Sequence, residues 1–384
     1  MNLRYLEDME NSATSRETPL LAWHTEVGAK LADFGGWQMP IEYPKAIETK
    51  SGKLIAPGGV LVEHHAVRES VGIFDVSHLG KIEVTGQGAL MFLNKIFTND
   101  LNRIGHGAAQ YNLLCNEKGG VIDDLIVYRH NDEHFFIIPN AANCTAVYQV
   151  LSEANDCGLT ITNLHTSYGV FAVQGPKSSE LLAQLGIVAD LDYMHFGIYD
   201  GLLICRTGYS GEFGYELIPL WQDAPALWQS LVEAVAQVGG QVCGLGARDT
   251  LRTEMGYPLH GHELSPEISP LEAGVAWAVS LAKGEFYGSS ALNKQKSEGL
   301  KRLSRGLLAQ DRGIPRAGMS VLNQAGAIVG VTTSGTFSPT LKQGIGLALL
   351  DSDIQVGDQL TIDVRGRSCV ADVVKVPFVP SHVR

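Results

Sequence analysis

The apolar pattern of the chain changes near residue 300, and this change limits the folds that the sequence can adopt. Between Asp75 and position 292, short apolar runs alternate with segments of helical periodicity. From Gly306 onward only short strand-like runs occur, separated by turns rich in Gly, Pro and Asp. The first pattern is typical of an α+β layer and the second of a small all-β barrel or sandwich.

The length of the chain, 384 residues, favours two or three domains. We predict a flexible N-terminal tail over residues 1–20, a mixed α+β region over 21–292, a surface linker over 293–305 and a β domain over 306–384. The linker prediction depends on the polar, lysine-rich stretch NKQKSEGLKRLSR. The opening residues carry acids without a following hydrophobic stretch, unlike a signal or transit peptide.

Charge and residue pattern exclude several classes of function. The net charge of −12, from 41 acidic and 29 basic side chains, disfavours nucleic acid as a partner. No apolar run reaches eighteen residues, so we expect no membrane span and a cytoplasmic protein. The six cysteines form no CxxC pair and the histidines no HExxH motif, so we expect no metal site.

Three segments carry side chains suited to chemistry. Asp100 stands between a predicted helix and a loop, where an aspartate is either a turn residue or a catalyst. Asp123 and Asp124 lie in a predicted strand, so they face opposite sides and cannot both enter one site. In the stretch 206–217, RTGYSGEFGYEL, three glycines surround Tyr209 and Glu216, as in a ligand-binding loop or an ordinary hairpin.

The stretch 244–256, GLGARDTLRTEMG, places Arg248 and Arg252 one helical turn apart on one face. Two such arginines can hold a carboxylate ligand through paired hydrogen bonds. They can equally pair with Asp249 or Glu254 in a structural network. The spacing alone leaves both interpretations open.

Taken in order, nine blocks of the sequence resemble the T-protein family of the glycine cleavage system. They are FGGWQMPIEY (34–43), AVRESVGIFDVSHLGKIEVTG (66–86), TNDL (98–101), NEKGGVIDDLIVYR (116–129), AVQGPKS (172–178), GYSGEFGYEL (208–217), GLGARDTLRTE (244–254), SGTFSPTLKQGIGLALL (334–350) and VVKVPFVP (373–380). The resemblance implies an α+β cloverleaf of three domains around a folate channel. Residues 21–292 would form two intertwined α+β domains and the C-terminal domain a β-barrel.

The resemblance also implies the chemistry and the partners. An aminomethyl group would leave the lipoyl sulfur of lipoylated H-protein, and tetrahydrofolate would accept its carbon as 5,10-methylenetetrahydrofolate while ammonia is released. No metal and no flavin would take part. Asp100 of the TND block would be the catalytic carboxylate, because in that family it lies beside the folate nitrogens. The residues expected to bind folate are Glu216, Arg248, Tyr209, Asn116, Trp277, Leu79 and Arg384.

Two other enzymatic or binding functions share this family's fold. One is a free-standing folate-dependent demethylase, and the other is a folate-binding protein without transferase activity. Iron–sulfur assembly factors are folate-binding proteins without transferase activity, and they carry a K-G-C-Y-x-G-Q-E block. At the matching position this chain has Gly208 in place of the cysteine. The segment Thr49 to Gly59 resembles an insertion into the family pattern, and we predict a surface loop there.

Overall fold

The computed structural model describes residues 15–384. Most of the flexible tail predicted over residues 1–20 therefore lies outside the described residues. Within that tail, Arg16–Glu17 form a short strand parallel to Trp37 and Gln38. No helix among residues 15–384 is both long and apolar enough to cross a lipid bilayer.

Helices and strands alternate up to position 298, and only strands follow. The helices are α1 (Leu21–Glu26), α2 (Val60–Glu69), α3 (Ala89–Ile96), α4 (Cys144–Ala154), α5 (Ser178–Gln184), α6 (Ala224–Gln237), α7 (Leu245–Glu254) and α8 (Ser289–Glu298), with 3₁₀ turns at Leu101–Arg103, Ala276–Ala278 and Leu281–Lys283. The strands are β1 (Arg16–Glu17), β2 (Lys30–Phe34), β3 (Trp37–Glu42), β4 (Ile47–Glu48), β5 (Leu54–Ile55), β6 (Gly72–Asp75), β7 (Ile82–Thr85), β8 (Ala108–Cys115), β9 (Val121–Asn131), β10 (His134–Pro139), β11 (Thr160–Asn163), β12 (Phe171–Gln174), β13 (Phe196–Tyr199), β14 (Leu202–Cys205), β15 (Gly214–Ile218), β16 (Gln241–Cys243), β17 (Arg302–Ala309), β18 (Ser320–Leu322), β19 (Ile328–Ser338), β20 (Gln343–Asp351), β21 (Gln359–Val364) and β22 (Arg367–Val374).

The first layered unit is a five-stranded sheet, in the order β11-β7-β10-β9-β8, covered by α3 and α4. Helix α4 is amphipathic, and it buries Val147 and Leu151 against the sheet. Strand β9 alternates buried and half-buried residues along its first half, as a strand with one face on a core must. Its other face is turned to the interior of the molecule, where the candidate site lies.

The second unit is a six-stranded sheet, in the order β13-β14-β15-β12-β6-β16, backed by α5 and α6. Helix α6 buries Trp228, Leu231 and Val235, which share one face because they are three, four and seven residues apart. It ends just before Gly239, whose φ of 69° only glycine adopts at little cost. Sheets and helices thus form the mixed α+β fold that the sequence predicted.

Residues after position 300 form a closed six-stranded barrel, in the order β17-β20-β19-β18-β21-β22, which confirms the predicted all-β barrel. The predicted linker over 293–305 differs from the structure. Helix α8 continues to Glu298 and β17 begins at Arg302, so only residues 299–301 connect them. The lysine-rich composition comes from the exposed face of α8, because a solvated helix and a linker carry the same polar side chains.

The segment Thr49 to Gly59, predicted as a surface loop, is partly ordered as the hairpin of β4 and β5. Its tip is fastened to α6 because the Ser51 hydroxyl donates to Glu233 Oε2 at 2.6 Å and Lys53 Nζ donates to Gln237 at 2.9 Å. The insertion therefore lies on the outer helix of the second unit.

Helix α7 joins the second unit to the barrel through Glu254. The carboxylate of Glu254 accepts hydrogen bonds from Arg68 Nη2 at 2.8 Å and from Thr340 Oγ1 at 2.9 Å, and it also bonds the Ser338 hydroxyl. Arg68 belongs to α2, Ser338 ends β19, and Thr340 lies in the turn after β19. The side chain of Glu254 is fully buried, so this cluster attaches the barrel to the C-terminal end of α7.

Candidate functional site

A cavity of about 560 Å³ lies where the two α+β units face each other. One wall comes from β8 and β9 of the five-stranded sheet, and the opposite wall comes from β15 and the start of α7. The segment 257–260, the 3₁₀ turn at 276–278 and the C-terminal residue complete the lining. A volume of this size suits a ligand of several fused or linked rings.

Glu216 and Arg248 provide the charged groups of one end of the cavity. Glu216 is 7% exposed on the central strand β15, and its carboxylate accepts a hydrogen bond from the Thr207 hydroxyl. Arg248 projects from the first turns of α7, and no side chain among residues 15–384 accepts a hydrogen bond from its guanidinium. Burial lowers the pKa of Arg248, and the charge of Glu216 opposes that effect. A buried acceptor and unused donors therefore face the same space.

Tyr209 forms a flat apolar wall beneath Arg248. The guanidinium carbon of Arg248 lies 4.7 Å from the centre of the Tyr209 ring, and the Tyr257 ring lies 5.6 Å away at a tilt of 31°. The Tyr209 hydroxyl donates to the carbonyl oxygen of Pro258, which fixes the ring. Burial also raises the pKa of Tyr209, so the phenol stays neutral and its polar group is used internally.

Arg252 resolves the question left open by the spacing of the two arginines. Its guanidinium pairs with Asp249 at 2.7 Å and Glu263 at 3.1 Å, and it donates to the Ser334 hydroxyl of the barrel at 2.9 Å. Arg252 is therefore a structural residue whose donors are already used. Of these two arginines of α7, Arg248 is the one that offers its guanidinium to a ligand.

The two neighbouring aspartates of β9 face opposite sides, as predicted for a strand. Asp123 is fully buried and accepts hydrogen bonds from Asn140 N, Asn140 Nδ2 and Asn143 Nδ2 at 2.7–2.9 Å, so it holds the start of α4. Asp124 lines the cavity and accepts from Tyr111 Oη at 3.0 Å and Asn140 Nδ2 at 2.8 Å. The alternation of side chains along a strand is the sequence signal that separates the two aspartates.

Asp100 lies beside the cavity rather than in its wall. Its neighbours Asn99 and Gln110 line the cavity, and Gln110 Nε2 donates to the Asp100 carbonyl oxygen at 3.0 Å. The carboxylate Oδ1 accepts from Asn102 N and Asn102 Nδ2, both at 3.0 Å, and so caps the short turn that follows. Oδ2 has no hydrogen-bond donor within residues 15–384. Turn capping and the predicted catalytic role are thus compatible, because one oxygen remains available.

Leu79, Trp277 and Arg384, for which folate binding is predicted, all line the cavity. Leu79 belongs to its apolar wall, and Trp277 is 66% exposed where its ring meets Tyr111 at 5.2 Å. The guanidinium of Arg384 lies 5.7 Å from the ring centre of Tyr193 at the rim. These positions suit a ligand that runs from the buried Glu216 end toward solvent.

Asn116 is not among the residues that line the cavity, and folate binding by Asn116 stays a prediction. Its Oδ1 accepts from the backbone of Lys118 at 2.9 Å and Gly120 at 3.0 Å, and its Nδ2 donates to the Pro266 carbonyl oxygen at 2.9 Å. A Cβ on Gly120 would lie 1.8 Å from that same carbonyl oxygen. Asn116 therefore shapes the β8–β9 turn, where an asparagine side chain replaces backbone hydrogen bonds.

Two histidines in the cavity wall were not singled out from the sequence. Burial lowers the pKa of His78 to about 3, with the charge of Arg248 adding to the effect, so its ring is neutral at pH 7. His78 Nδ1 has no hydrogen-bond partner among the residues from 15 to 384. His260 lines the opposite side and bonds the Val121 carbonyl oxygen at 3.1 Å. In this same range no group of His, Cys, Asp and Glu is arranged to hold a metal ion.

Gly208 leaves no room for the cysteine of the iron–sulfur assembly factors. A Cβ at this position would lie 2.1 Å from Gln174 Oε1. Gln174 is buried and fixed by hydrogen bonds with Ser210 at 2.6 Å and with the Thr207 and Tyr215 carbonyl oxygens at 3.2 Å. The loop is therefore built around a glycine, which disfavours that alternative.

Known proteins match this chain along nearly its whole length. The family model described as GCVT N-terminal domain matches residues 20–283, and that described as glycine cleavage T-protein C-terminal barrel domain matches residues 302–380. An aminomethyltransferase of Mycobacterium avium (strain 104) is 52% identical over 382 residues, covering 98% of this chain and 100% of the relative. An aminomethyltransferase of Frankia alni is 52% identical, covering 97% of this chain and all of the relative.

A solved structure gives the same result for the fold. The glycine cleavage system aminomethyltransferase T from Bartonella henselae superposes with a TM-score of 0.88 at 31% identity, covering 96% of this chain and 99% of that one. Two family models, relatives at 52% identity and this structure agree. The chain therefore belongs to the aminomethyltransferases of the glycine cleavage system, the T-protein family.

Proposed function

We propose that tetrahydrofolate binds in the cavity with its pterin ring at the Glu216 end. The observation that carries this proposal is the pairing of a buried carboxylate with an unused guanidinium around a flat tyrosine ring. A pterin has an amino group and a ring N–H on one edge, which a carboxylate can accept together. Tyr209 then supports the face of the ring, and Leu79 adds apolar contact.

The rest of the folate extends toward the open end of the cavity. Trp277 and Tyr111 offer aromatic surface for the benzoyl group, since their rings lie only 5.2 Å apart at the rim. Arg384 supplies a positive charge for the carboxylates of the glutamate tail. This arrangement brings the middle of the folate, where N5 and N10 lie, near the Asn99 and Gln110 side of the wall.

Asp100 acts on the folate nitrogens in this proposal. It lies one residue beyond Asn99, and Oδ2 is available while Oδ1 stays bonded to Asn102. A fixed carboxylate at this point accepts a proton from a folate nitrogen or stabilises positive charge as the methylene bridge forms. Capping of the Leu101–Arg103 turn holds the carboxylate in place.

The donor in the proposed reaction is the aminomethyl group carried by lipoylated H-protein. Transfer gives 5,10-methylenetetrahydrofolate, ammonia and the reduced lipoyl group, and none of these products requires a metal or a flavin. The lipoyl arm enters from the exposed side at Trp277, which is 66% exposed. We place the reaction in the cytoplasm, as expected from the sequence.

The test combines purified protein, tetrahydrofolate and aminomethylated H-protein without added metal or flavin. We expect release of ammonia and formation of 5,10-methylenetetrahydrofolate, with neither product when H-protein carries an unmodified lipoyl group. A silent mixture would reject the proposal. If a methylsulfonium compound or a methylated amine then gave 5-methyltetrahydrofolate, the demethylase function would replace it.

A further inference from the structure

Lys283 fastens the short piece of backbone that leads into Asp100. Its Nζ donates hydrogen bonds to the carbonyl oxygens of Phe97 and Asn99, which lie on the same stretch of chain. Lys283 itself is half-buried at the end of the 3₁₀ turn Leu281–Lys283, so it reaches this stretch from a distant part of the sequence. One ammonium group therefore holds the backbone on both sides of the residue that it spans.

The segment 97–100 lies between the end of α3 and the next 3₁₀ turn, so neither helix nor sheet satisfies its carbonyl oxygens. Ser280 N donates to the carbonyl oxygen of Thr98 at 2.9 Å, and Gln110 Nε2 donates to that of the last residue at 3.0 Å. Lys283 supplies the donor for the other two. Buried carbonyl oxygens need such partners. Half of the external support of this segment thus comes from one amine.

The ammonium group lies near the Asp100 carboxylate without pairing with it. Burial lowers the pKa of Lys283 to about 8, and the charge of Asp100 opposes that effect, so the amine is protonated at pH 7. Lys283 uses its N–H groups on backbone oxygens and forms no ion pair with Asp100. Oδ2 of Asp100 consequently stays without a donor among residues 15–384. The lysine supports the carboxylate from behind and leaves its reactive oxygen open.

Lys283 faces a different surface of the protein from the folate cavity. It belongs to the wall of an outer groove of about 970 Å³, together with Lys95 and Phe286, and Nζ lies 5.0 Å from the centre of the Phe286 ring. None of these three residues lines the folate cavity. A change of the Lys283 side chain therefore alters no wall of the cavity directly.

We propose that Lys283 is a positioning residue for Asp100, which holds the backbone of segment 97–100 so that the carboxylate keeps the orientation needed for proton transfer. This inference rests on the proposed function, in which Asp100 acts on the folate nitrogens. A displacement of a catalytic group by about 1 Å can cost about 10²-fold in rate. Lys283 touches neither the folate nor the aminomethyl group in this role, and it exchanges no proton with them.

The main experiment measures single-turnover transfer by wild type and by Lys283→Met at saturating aminomethylated H-protein. Methionine keeps an unbranched apolar stem but removes both hydrogen bonds. We expect the transfer rate to fall by about 10- to 10²-fold, with tetrahydrofolate affinity by calorimetry within about twofold of wild type. Lys283→Arg returns charged donors and should recover part of the rate. The matched control is Lys95→Met, which removes a positive charge from the same groove and should transfer at the wild-type rate.

A double-mutant cycle with Asp100→Asn separates positioning from a general structural role. If Lys283 acts through Asp100, Lys283→Met should lower the rate of the Asp100→Asn protein by no more than about twofold, because residues that act as a unit are not additive. A folding defect or weaker docking of H-protein would lower the rate by the same factor in both backgrounds. Thermal unfolding of all four proteins confirms that the rates refer to folded enzyme.

The possible failures are distinguishable. An inactive wild type would reject the proposed function itself, and a fully active Asp100→Asn would remove both Asp100 and Lys283 from the mechanism. With wild type active and Asp100→Asn impaired, a wild-type rate in Lys283→Met, or an equal loss in both backgrounds, would overturn only the role of Lys283. Should Lys283→Met fail to fold, Lys283→Gln, which is one bond shorter and uncharged, takes its place in the cycle with the same outcomes.

Discussion

The guanidinium carbon of Arg248 lies 4.7 Å from the centre of the Tyr209 ring, within the range of a cation–π contact. The ring supports the arginine from one face, and the hydroxyl of Tyr209 is bonded to the Pro258 backbone. The arginine is thus ordered before any ligand arrives, yet its N–H groups have no acceptor among residues 15–384. Preorganised donors of this kind lower the entropy cost of binding.

Removing either charged group at this end should weaken the binding of tetrahydrofolate. We expect Arg248→Ala and Glu216→Ala each to cost roughly 1–3 kcal/mol, because each strands a buried charged or polar partner on the ligand. Isothermal titration calorimetry measures the loss. Arg312→Ala, an exposed arginine of the barrel, is the matched control and should bind as wild type does. Unaltered affinity in both cavity variants would place the folate elsewhere.

Asp100→Asn should separate catalysis from folding and binding. The amide oxygen can still accept from Asn102 and cap the turn, so thermal stability and tetrahydrofolate affinity should stay close to those of wild type. The charge is lost, and we expect single-turnover transfer to fall by at least about 10²-fold. Rapid-quench measurement of methylenetetrahydrofolate checks this, and a wild-type rate in the variant would remove Asp100 from the mechanism.

Asn116→Ala should lower stability without affecting the cavity. The variant loses the three hydrogen bonds of the Asn116 side chain. Two are accepted from the backbone amides of Lys118 and Gly120, and one is donated to the carbonyl oxygen of Pro266. We expect the free energy of unfolding to fall by about 1–3 kcal/mol in urea titration. Calorimetry with tetrahydrofolate should give the wild-type affinity at a temperature where both proteins are folded. A stable variant with weakened folate binding would return Asn116 to the site.

The Glu254 cluster should give the protein a stability that is lost in acid. Burial alone would raise the pKa of Glu254, but the hydrogen bond and the charge of His64, the hydrogen bond from Ser338 and the charge of Arg68 lower it to about 2. Burial lowers the pKa of His64 and Glu254 opposes that effect, whereas Arg68 stays positively charged from neutral pH into acid. A depressed carboxyl pKa contributes stability that is complete above the ordinary value near 4.5 and disappears as the pH falls toward 2.

This contribution amounts to about 3 kcal/mol between pH 5 and pH 2. Glu254→Gln cannot titrate, so its unfolding free energy, although lower overall, should fall less steeply over that range than the wild-type value. Urea titrations at several pH values give both slopes. Parallel slopes would mean that Glu254 is not held in its charged form.

The fold could be predicted from the sequence because its signals are local. Helical periodicity in α4 and α6 and the strand pattern after Gly306 follow from neighbouring residues, and so does the opposite orientation of Asp123 and Asp124. The extent of α8 was missed, since an exposed helix has the composition of a linker.

The candidate site could be predicted only in part, because side-chain partners are distant in sequence. Arg252 and Arg248 have the same spacing pattern as any helical pair, and only Glu263 and Ser334 show that Arg252 is a structural residue. The family resemblance assigned Asn116 to folate binding, but it gave no information on the direction in which the side chain points.

Helix α7 carries Arg248 at the cavity and, one turn later, Arg252, which donates to Ser334 of the barrel at 2.9 Å. A rigid helix with one end in the ligand site and the other in a separate domain couples the two energetically. By linkage, the effect is then reciprocal. If ligand binding stabilises the barrel by a given free energy, loosening the barrel weakens ligand binding by the same free energy. A saturating ligand should slow amide hydrogen exchange in β19, a strand that lines no part of the cavity.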